Sequence, residues 1–306
     1  MTSPTIRPEN VVTNRIELDF DALRTARART PEAISERLAS RERRELLLGD
    51  GRLFIVAADH PARGALGVGA DPAAMADRYE LLRRLATALS RPGVDGVLGT
   101  PDIIDDLALL GLLEGKIVVG SMNRGGLRGS SFEMDDRYTA YDIERIVRDR
   151  LDFAKNLLRI NLTDPGSSAT LEATAHAVSR AAEARVPIMI EPFMSEWIDG
   201  RVRNDLSTEA VILSIAIASG LGTSSAYSWL KLPVVPDMHR VMAATTLPTL
   251  LLGGEVSDDQ DEAFESWSNA LSLPNVRGLV VGRSLLYPAD GDVVAAVDTA
   301  AALVHG

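Results

Sequence analysis

The sequence reads as an α/β protein, a (β/α)8 TIM barrel with an extra N-terminal helix. Three observations carry that reading. Eight short apolar runs recur along the chain: LFIVAAD (53–59), DGVLG (95–99), KIVVGSM (116–122), NLLRINL (156–162), VPIMIEP (186–192), YSWLKLPVV (227–235), PTLLLGG (248–254) and RGLVVGR (277–283). They are rich in Val, Ile and Leu, as buried parallel strands are. The stretches between them have helical periodicity, and the runs are evenly spaced, the first starting at residue 53 and the last at 277. Eight strands alternating with helices describe a barrel. The alternative is an open doubly wound sheet, which eight even units would make unusually wide.

Taken in order, residues 20–48 read as an extra charged helix, a cap on the barrel bottom or an oligomer contact. The chain then divides into an extension and capping helix over 1–49 and a catalytic barrel over 50–306. In 73–90, Met75, Tyr79, Leu82, Leu85 and Leu89 fall at spacings of three and four, one face of a helix. Asp102 reads as an N-cap before Ile103 and Leu107. Residues 168–184, 207–219 and 290–304 are alanine-rich helix candidates. Ser257 and Gln260 form a capping-box pattern.

Composition narrows the class. The 306 residues are 46% hydrophobic and 25% charged, enough apolar mass for a packed core. The absence of cysteine removes disulfides, thiolate metal sites and a cysteine nucleophile. No apolar run approaches the length of a membrane span, and the N-terminus lacks an apolar signal core. The net charge of -11 argues against binding nucleic acid or an anionic membrane. The expectation is a soluble cytoplasmic protein, with the 20–48 helix as a candidate homo-oligomer contact, and the charge does not exclude a small anionic substrate in a local positive pocket.

In such a barrel the chemistry sits where strands end. The first run ends in Asp59, followed by His60, which is as readily a loop residue as a catalyst. The third ends in Ser121 and Asn123. The fourth puts Arg159, Asn161 and Thr163 on one face, with Asp164 beyond. The fifth ends in Glu191, in phase with Met189. The sixth puts Tyr227, Trp229 and Lys231 on one face and Leu230, Leu232 and Val234 on the other. The seventh ends in Gly253-Gly254-Glu255, and the eighth in Gly282-Arg283.

Lys231 is the hardest of these to dismiss as structural. Of 32 basic residues only three are lysines. Mid-strand, Lys231 cannot easily snorkel to water, and burying its charge costs several kcal/mol. Desolvation lowers an amine pKa from about 10.4 towards about 7 and frees it to attack a carbonyl. The resulting Schiff base is an electron sink for a breaking C–C bond. Lys116 leads into the third strand at the bottom, and Lys155 reads as ending the helix before the fourth, also at the bottom. Asp59, Arg159 and Glu191 each admit a structural reading as ion-pair partners or loop-ordering groups.

The glycine-rich ends of runs seven and eight adjoin in a barrel, where loops commonly cradle phosphate. Gly253, Gly254, Gly282 and Arg283 are the candidates there. Loops 60–71 and 123–136 are glycine-rich covers that carry Arg63, Arg124 and Arg128 towards an anionic substrate. The histidines, His60, His176, His239 and His305, show no zinc-ligand spacing. A magnesium site from Asp59, Glu191 and Asp164 stays open; the expectation is no metal and no cofactor.

On these segments the sequence resembles the class I aldolases grouped with deoxyribose-phosphate aldolase, archaeal-type fructose-bisphosphate aldolase and tagatose-bisphosphate aldolase. The resemblance spans roughly residues 50–304. AADHPARG (57–64) is similar to the family's Asp-His-Gly motif, with Pro61 in place of glycine. WLKLP (229–233) resembles the segment carrying the Schiff-base lysine. LLLGGEV (250–256) and LVVGRSLL (279–286) resemble phosphate-binding strand ends. Glu191 stands where the archaeal-type enzymes carry a tyrosine and the tagatose branch a glutamate.

The function expected is a metal-independent class I aldolase, a lyase of a phosphorylated keto sugar or keto acid. Lys231 forms the imine, Glu191 transfers protons, Asp59 is the second or orienting carboxylate, and Arg159 stabilises an oxyanion or carboxylate. Gly253, Gly254, Gly282, Arg283, Asn123 and Asn161 bind substrate or phosphate. A metal-assisted lyase or isomerase, and a non-catalytic sugar-phosphate-binding barrel, remain the alternatives.

Overall fold

The structure, a computed structural model, describes residues 16–253 and 260–306. Among them are nine strands: β1 (Leu53–Ala57), β2 (Gly96–Gly99), β3 (Ile117–Ser121), β4 (Phe153–Ile160), β5 (Ile188–Ile198), β6 (Arg201–Asn204), β7 (Ser228–Leu232), β8 (Thr249–Leu252) and β9 (Val276–Val281). Eight of them lie in the order β4, β3, β2, β1, β9, β8, β7, β5, and β4 pairs with β5 to shut the ring. Neighbours in the ring run parallel. That closure makes the molecule a (β/α)8 barrel and excludes the open sheet. Strand β6 lies outside the ring, antiparallel to the far end of β5.

Side-chain alternation along the strands builds two cores. Leu53, Ile55, Leu98, Val119, Phe153, Met189, Trp229, Leu250 and Val280 fill the barrel interior. Phe153 and Trp229 meet there edge to face, with centroids 5.4 Å apart. Phe54, Val56, Val118, Leu158, Ile190, Leu230 and Leu232 point outward and pack under the surrounding helices. The middle of the barrel is therefore solid hydrocarbon, with polar groups above and below it. No helix among the described residues is long and apolar enough to cross a membrane.

Several expectations need correction. The single helix expected over 20–48 is two, Phe20–Arg29 and Ala33–Ser40. Pro31 between them lacks a backbone N–H and disfavours helical geometry at Thr30. The N-cap of the helix Pro101–Leu109 is Thr100 rather than Asp102, whose carboxylate accepts the Thr100 hydroxyl at 2.6 Å. Strand β4 begins at Phe153, three residues before the apolar run starts. Lys155 is therefore inside the strand, not at the end of a helix. Ser257, Gly254 and Glu255 lie outside the described residues.

The segment after the second helix closes the barrel floor. Leu46 and Leu47 pack against the interior core. Arg41 pairs with Asp152 at 2.6 Å and also donates to the carbonyls of Lys116 and Arg150. Arg43 pairs with the other oxygen of Asp152, and the Val118 amide donates to the oxygen that Arg41 holds. Removing one partner of such a buried pair strands a charge. Asp152→Ala is expected to lower unfolding free energy by about 3–5 kcal/mol, seen as a lower urea midpoint at unchanged m-value. A midpoint within error of wild type would show that the floor does not depend on this carboxylate.

Candidate active site

The inward face of β4 carries Lys155, Leu157 and Arg159, and the register fixes what they meet. Lys155 lies beside Ser121 of β3 and Met189 of β5, and Leu157 lies beside Glu191. On β7, Trp229 is level with Met189, which places Lys231 one inward position higher. Alternation thus stacks a charged layer directly on the hydrocarbon plug. Asp59, just past β1, completes it.

Glu191 sits between two amines. Its Oε1 accepts from Lys231 Nζ at 2.5 Å and its Oε2 contacts Lys155 Nζ at 2.5 Å. Lys155 Nζ also reaches Asp59 Oδ2 at 3.3 Å. That oxygen accepts the Ser121 hydroxyl at 3.0 Å and pairs with Arg124. The cluster thus holds three cationic side chains against two carboxylates, all buried. Burial pushes both lysines below their ordinary value, and neighbouring cations add to it while Glu191 opposes it. Burial also pushes Glu191 up, but the two ammonium groups outweigh it and hold the carboxyl well below the usual range. Releasing one proton leaves two cations against two anions, so a neutral amine balances the buried charge.

A cavity of about 720 Å³ opens above this layer at the C-terminal ends of the strands. Lys231, Glu191 and Asp59 line it, whereas Lys155 lies beneath and does not. Gly253, Gly282, Arg283 and Ser284 line the cavity where β8 and β9 end. A Cβ at Gly282 would stand 2.2 Å from the Ala57 carbonyl, so only glycine lets that end of β9 approach β1.

Other expected residues are placed differently. Arg159 lines the cavity but is held by Asp136, through Nη2 to Oδ1 at 2.5 Å and Nε to Oδ2 at 3.0 Å. Its partner comes from the loop after β3, not from Asp59 or Glu191 across the barrel. Asn123 ties that loop to β4 by donating to the Leu157 carbonyl and accepting from the Leu157 amide. Asn161 lies past the end of β4, where its oxygen accepts from the Thr163 amide and hydroxyl. Neither asparagine lines the cavity. Arg124 is no loop cover; it is buried against Asp59, and burial lowers its pKa to about 10. Asp164 accepts from the Trp197 indole, and among the described residues no group of three acidic or histidine side chains converges as a metal site.

Three features escaped the sequence reading. Lys155 was one residue outside the apolar run, although its even spacing from Leu157 and Arg159 marks the face. Glu133 and Asp136, in the loop after β3, meet Arg159 and carry no local pattern that points to it. The third is the β5–β6 hairpin, whose Arg201 and Asn204 reach the cavity rim. Its signal was available: Asp199 and Gly200 both have positive φ, 51° and 71°, the two-residue turn that Asp-Gly favours.

Residues 51–301 match the family described as Cgl0159-like. The chain belongs to that family. It is 68% identical to Cgl0159 from Corynebacterium glutamicum (Brevibacterium flavum), whose crystal structure superposes with a TM-score of 0.92 over 94% of this chain and 96% of that one. An archaeal fructose 1,6-bisphosphate aldolase is 19% identical, with a TM-score of 0.62 over 89% of this chain and 98% of that one. A fructose-bisphosphate aldolase from Slackia heliotrinireducens DSM 20476 is 14% identical, with a TM-score of 0.58 over 97% and 96%. At these identities the two aldolases share the family's barrel fold with this chain. No curated protein matches it.

Proposed function

We propose that this protein is a Schiff-base aldolase that cleaves a phosphorylated keto sugar or keto acid, with Lys231 as the nucleophile. The observation that carries the reading is the buried Lys231–Glu191–Lys155 bridge under an open cavity, with Lys231 as the amine on the cavity side. Such a cluster readily holds one amine neutral, and the neutral amine nearest the cavity is the one a carbonyl meets. The barrel likeness to archaeal aldolases supports the reading. One of those was solved with its catalytic lysine covalently bound to the carbinolamine intermediate of the substrate.

In this mechanism Lys231 Nζ adds to the substrate carbonyl carbon and gives a carbinolamine. Glu191 passes a proton from Lys155 to the departing hydroxyl, which leaves as water, and the iminium forms. The iminium then takes up the electron pair of the breaking carbon–carbon bond as an enamine. While Lys231 is a neutral amine or a carbinolamine, Glu191 faces one ammonium instead of two and is the better proton carrier. Borohydride added with a panel of carbonyl probes tests this: dihydroxyacetone phosphate, fructose and tagatose bisphosphates, deoxyribose phosphate and a phosphorylated 2-deoxy-5-keto-gluconate. Peptide mapping is expected to place the reduced adduct on Lys231 and not on Lys155 or Lys116. Chelator-sensitive turnover without trapping would favour the metal-assisted alternative instead.

Phosphate is assigned to the end of the cavity formed by Gly253, Gly282, Ser284 and Arg283. Arg283→Ala is expected to raise KM at least tenfold for the panel member turned over, on the order of the 1.5–3 kcal/mol of a charge-assisted hydrogen bond. An unchanged KM would remove this end from phosphate binding.

A further inference from the structure

The carboxylates at the base of the cavity are already engaged. Both oxygens of Glu191 hold lysines. Asp59 Oδ2 takes Arg124, Lys155 and Ser121. Glu133 accepts the Gly129 amide at 2.7 Å and faces Arg159. Breaking a carbon–carbon bond next to an iminium also needs a group that removes the proton of the substrate hydroxyl; Glu191 already serves the carbinolamine hydroxyl, and Asp59 and Glu133 are held by their partners.

His60 is placed differently. His60 lines the cavity, and its side chain is only 19% exposed. Its Nδ1 is buried and has no hydrogen-bond partner among the described residues. That nitrogen lies 3.8 Å from Asp59 Oδ1, while the closest contacts of Arg124, Lys155 and Ser121 fall on Oδ2. A buried polar nitrogen without a partner is costly. A shift of under an ångström would give Nδ1–H a hydrogen bond to Asp59 and direct the Nε2 lone pair elsewhere. Asp59 and His60 are adjacent in sequence, so the turn after β1 delivers both.

Resting on the Schiff-base reading, we propose that His60, oriented by Asp59, is the base that accepts the substrate hydroxyl proton when the carbon–carbon bond breaks. The step balances within the site. The O–H bond breaks and its proton bonds to His60 Nε2, while the O–H electron pair becomes the new carbonyl. The pair from the broken carbon–carbon bond forms the enamine and neutralises the iminium nitrogen. The imidazolium then gives its proton to water. The surroundings suit a base that must start neutral. Burial, then Arg283, Lys231 and Arg63, push the His60 pKa well below its ordinary value, with Glu191 opposing them. The same cations drive the proton off again after cleavage.

The test separates imine formation from bond cleavage. His60→Gln is expected to lower kcat for the panel member cleaved by wild type by about 10²–10⁴. It should still give the borohydride adduct on Lys231 with dihydroxyacetone phosphate. In His60→Gly, added imidazole is expected to restore part of the lost cleavage. Cleavage at the wild-type rate in both variants would overturn the proposal. So would loss of the adduct together with cleavage in a folded variant, because His60 would then act on imine formation. Absence of any adduct in wild type would overturn the Schiff-base reading itself, and this one with it.

Discussion

Lys231→Met is expected to keep the fold and lose essentially all turnover, along with the borohydride adduct. Replacing the amine removes the nucleophile from the cavity side of the cluster, and no other lysine lines that cavity. The fold should survive for an electrostatic reason. Wild type has Lys231, Lys155 and Arg124 against Asp59 and Glu191. The variant keeps two cations against the same two carboxylates, so no buried charge is left unbalanced. Glu191 keeps its contact to Lys155, and a thioether costs less to bury than an amine. Circular dichroism and thermal melting check the fold, while product release and mass mapping check the chemistry. Full activity in this variant, or an adduct found on Lys155, would sink the assignment.

Glu191→Gln should lower kcat by about 10²–10⁴ with a smaller change in KM. A neutral amide neither relays a proton between Lys155 and the carbinolamine nor balances the two amines. Both lysines then lose the partner that raises their pKa, so the supply of neutral amine is not what fails. Imine formation and hydrolysis should slow together, visible as a lag in trapping. Stability carries a second signature. A carboxyl held below its ordinary 4.5 stabilises the fold above that pH, and the contribution fades as pH falls towards the folded-state value. The stability gap between wild type and variant should therefore narrow below about pH 4.5. Wild-type kcat in Glu191→Gln, with activity lost in Asp59→Asn, would reverse the roles of the two carboxylates.

The sequence reading was sound where one strand carries its own evidence. Lys231 interrupts an otherwise apolar run, and the alternation with Trp229 and Leu230 gave its direction without any partner. Glu191, in phase with Met189, was legible in the same way. Lys155 was not, because the strand boundary that decides its side comes from pairing with Ser121 and Met189 rather than from local pattern. Asn161 failed for the same reason at the other end of β4: the alternation ran on past the last ladder partner, and its side chain turned to cap the following loop instead.

By itself the sequence determined the barrel, its eight strands and one of the two buried amines, Lys231, because periodicity and the cost of burying charge are local properties. Only the tertiary structure decided which charges share a layer. Lys155, Glu191 and Lys231 come from three strands and Asp59 from just past a fourth, as far apart as residues 59 and 231, and inter-strand register brings their side chains to hydrogen-bonding distance. The pairing of Arg159 with Asp136, and the placing of His60 Nδ1 3.8 Å from Asp59 Oδ1, likewise depend on the folded chain. Ion-pair energies depend on separation and burial, and neither is written in the order of the residues.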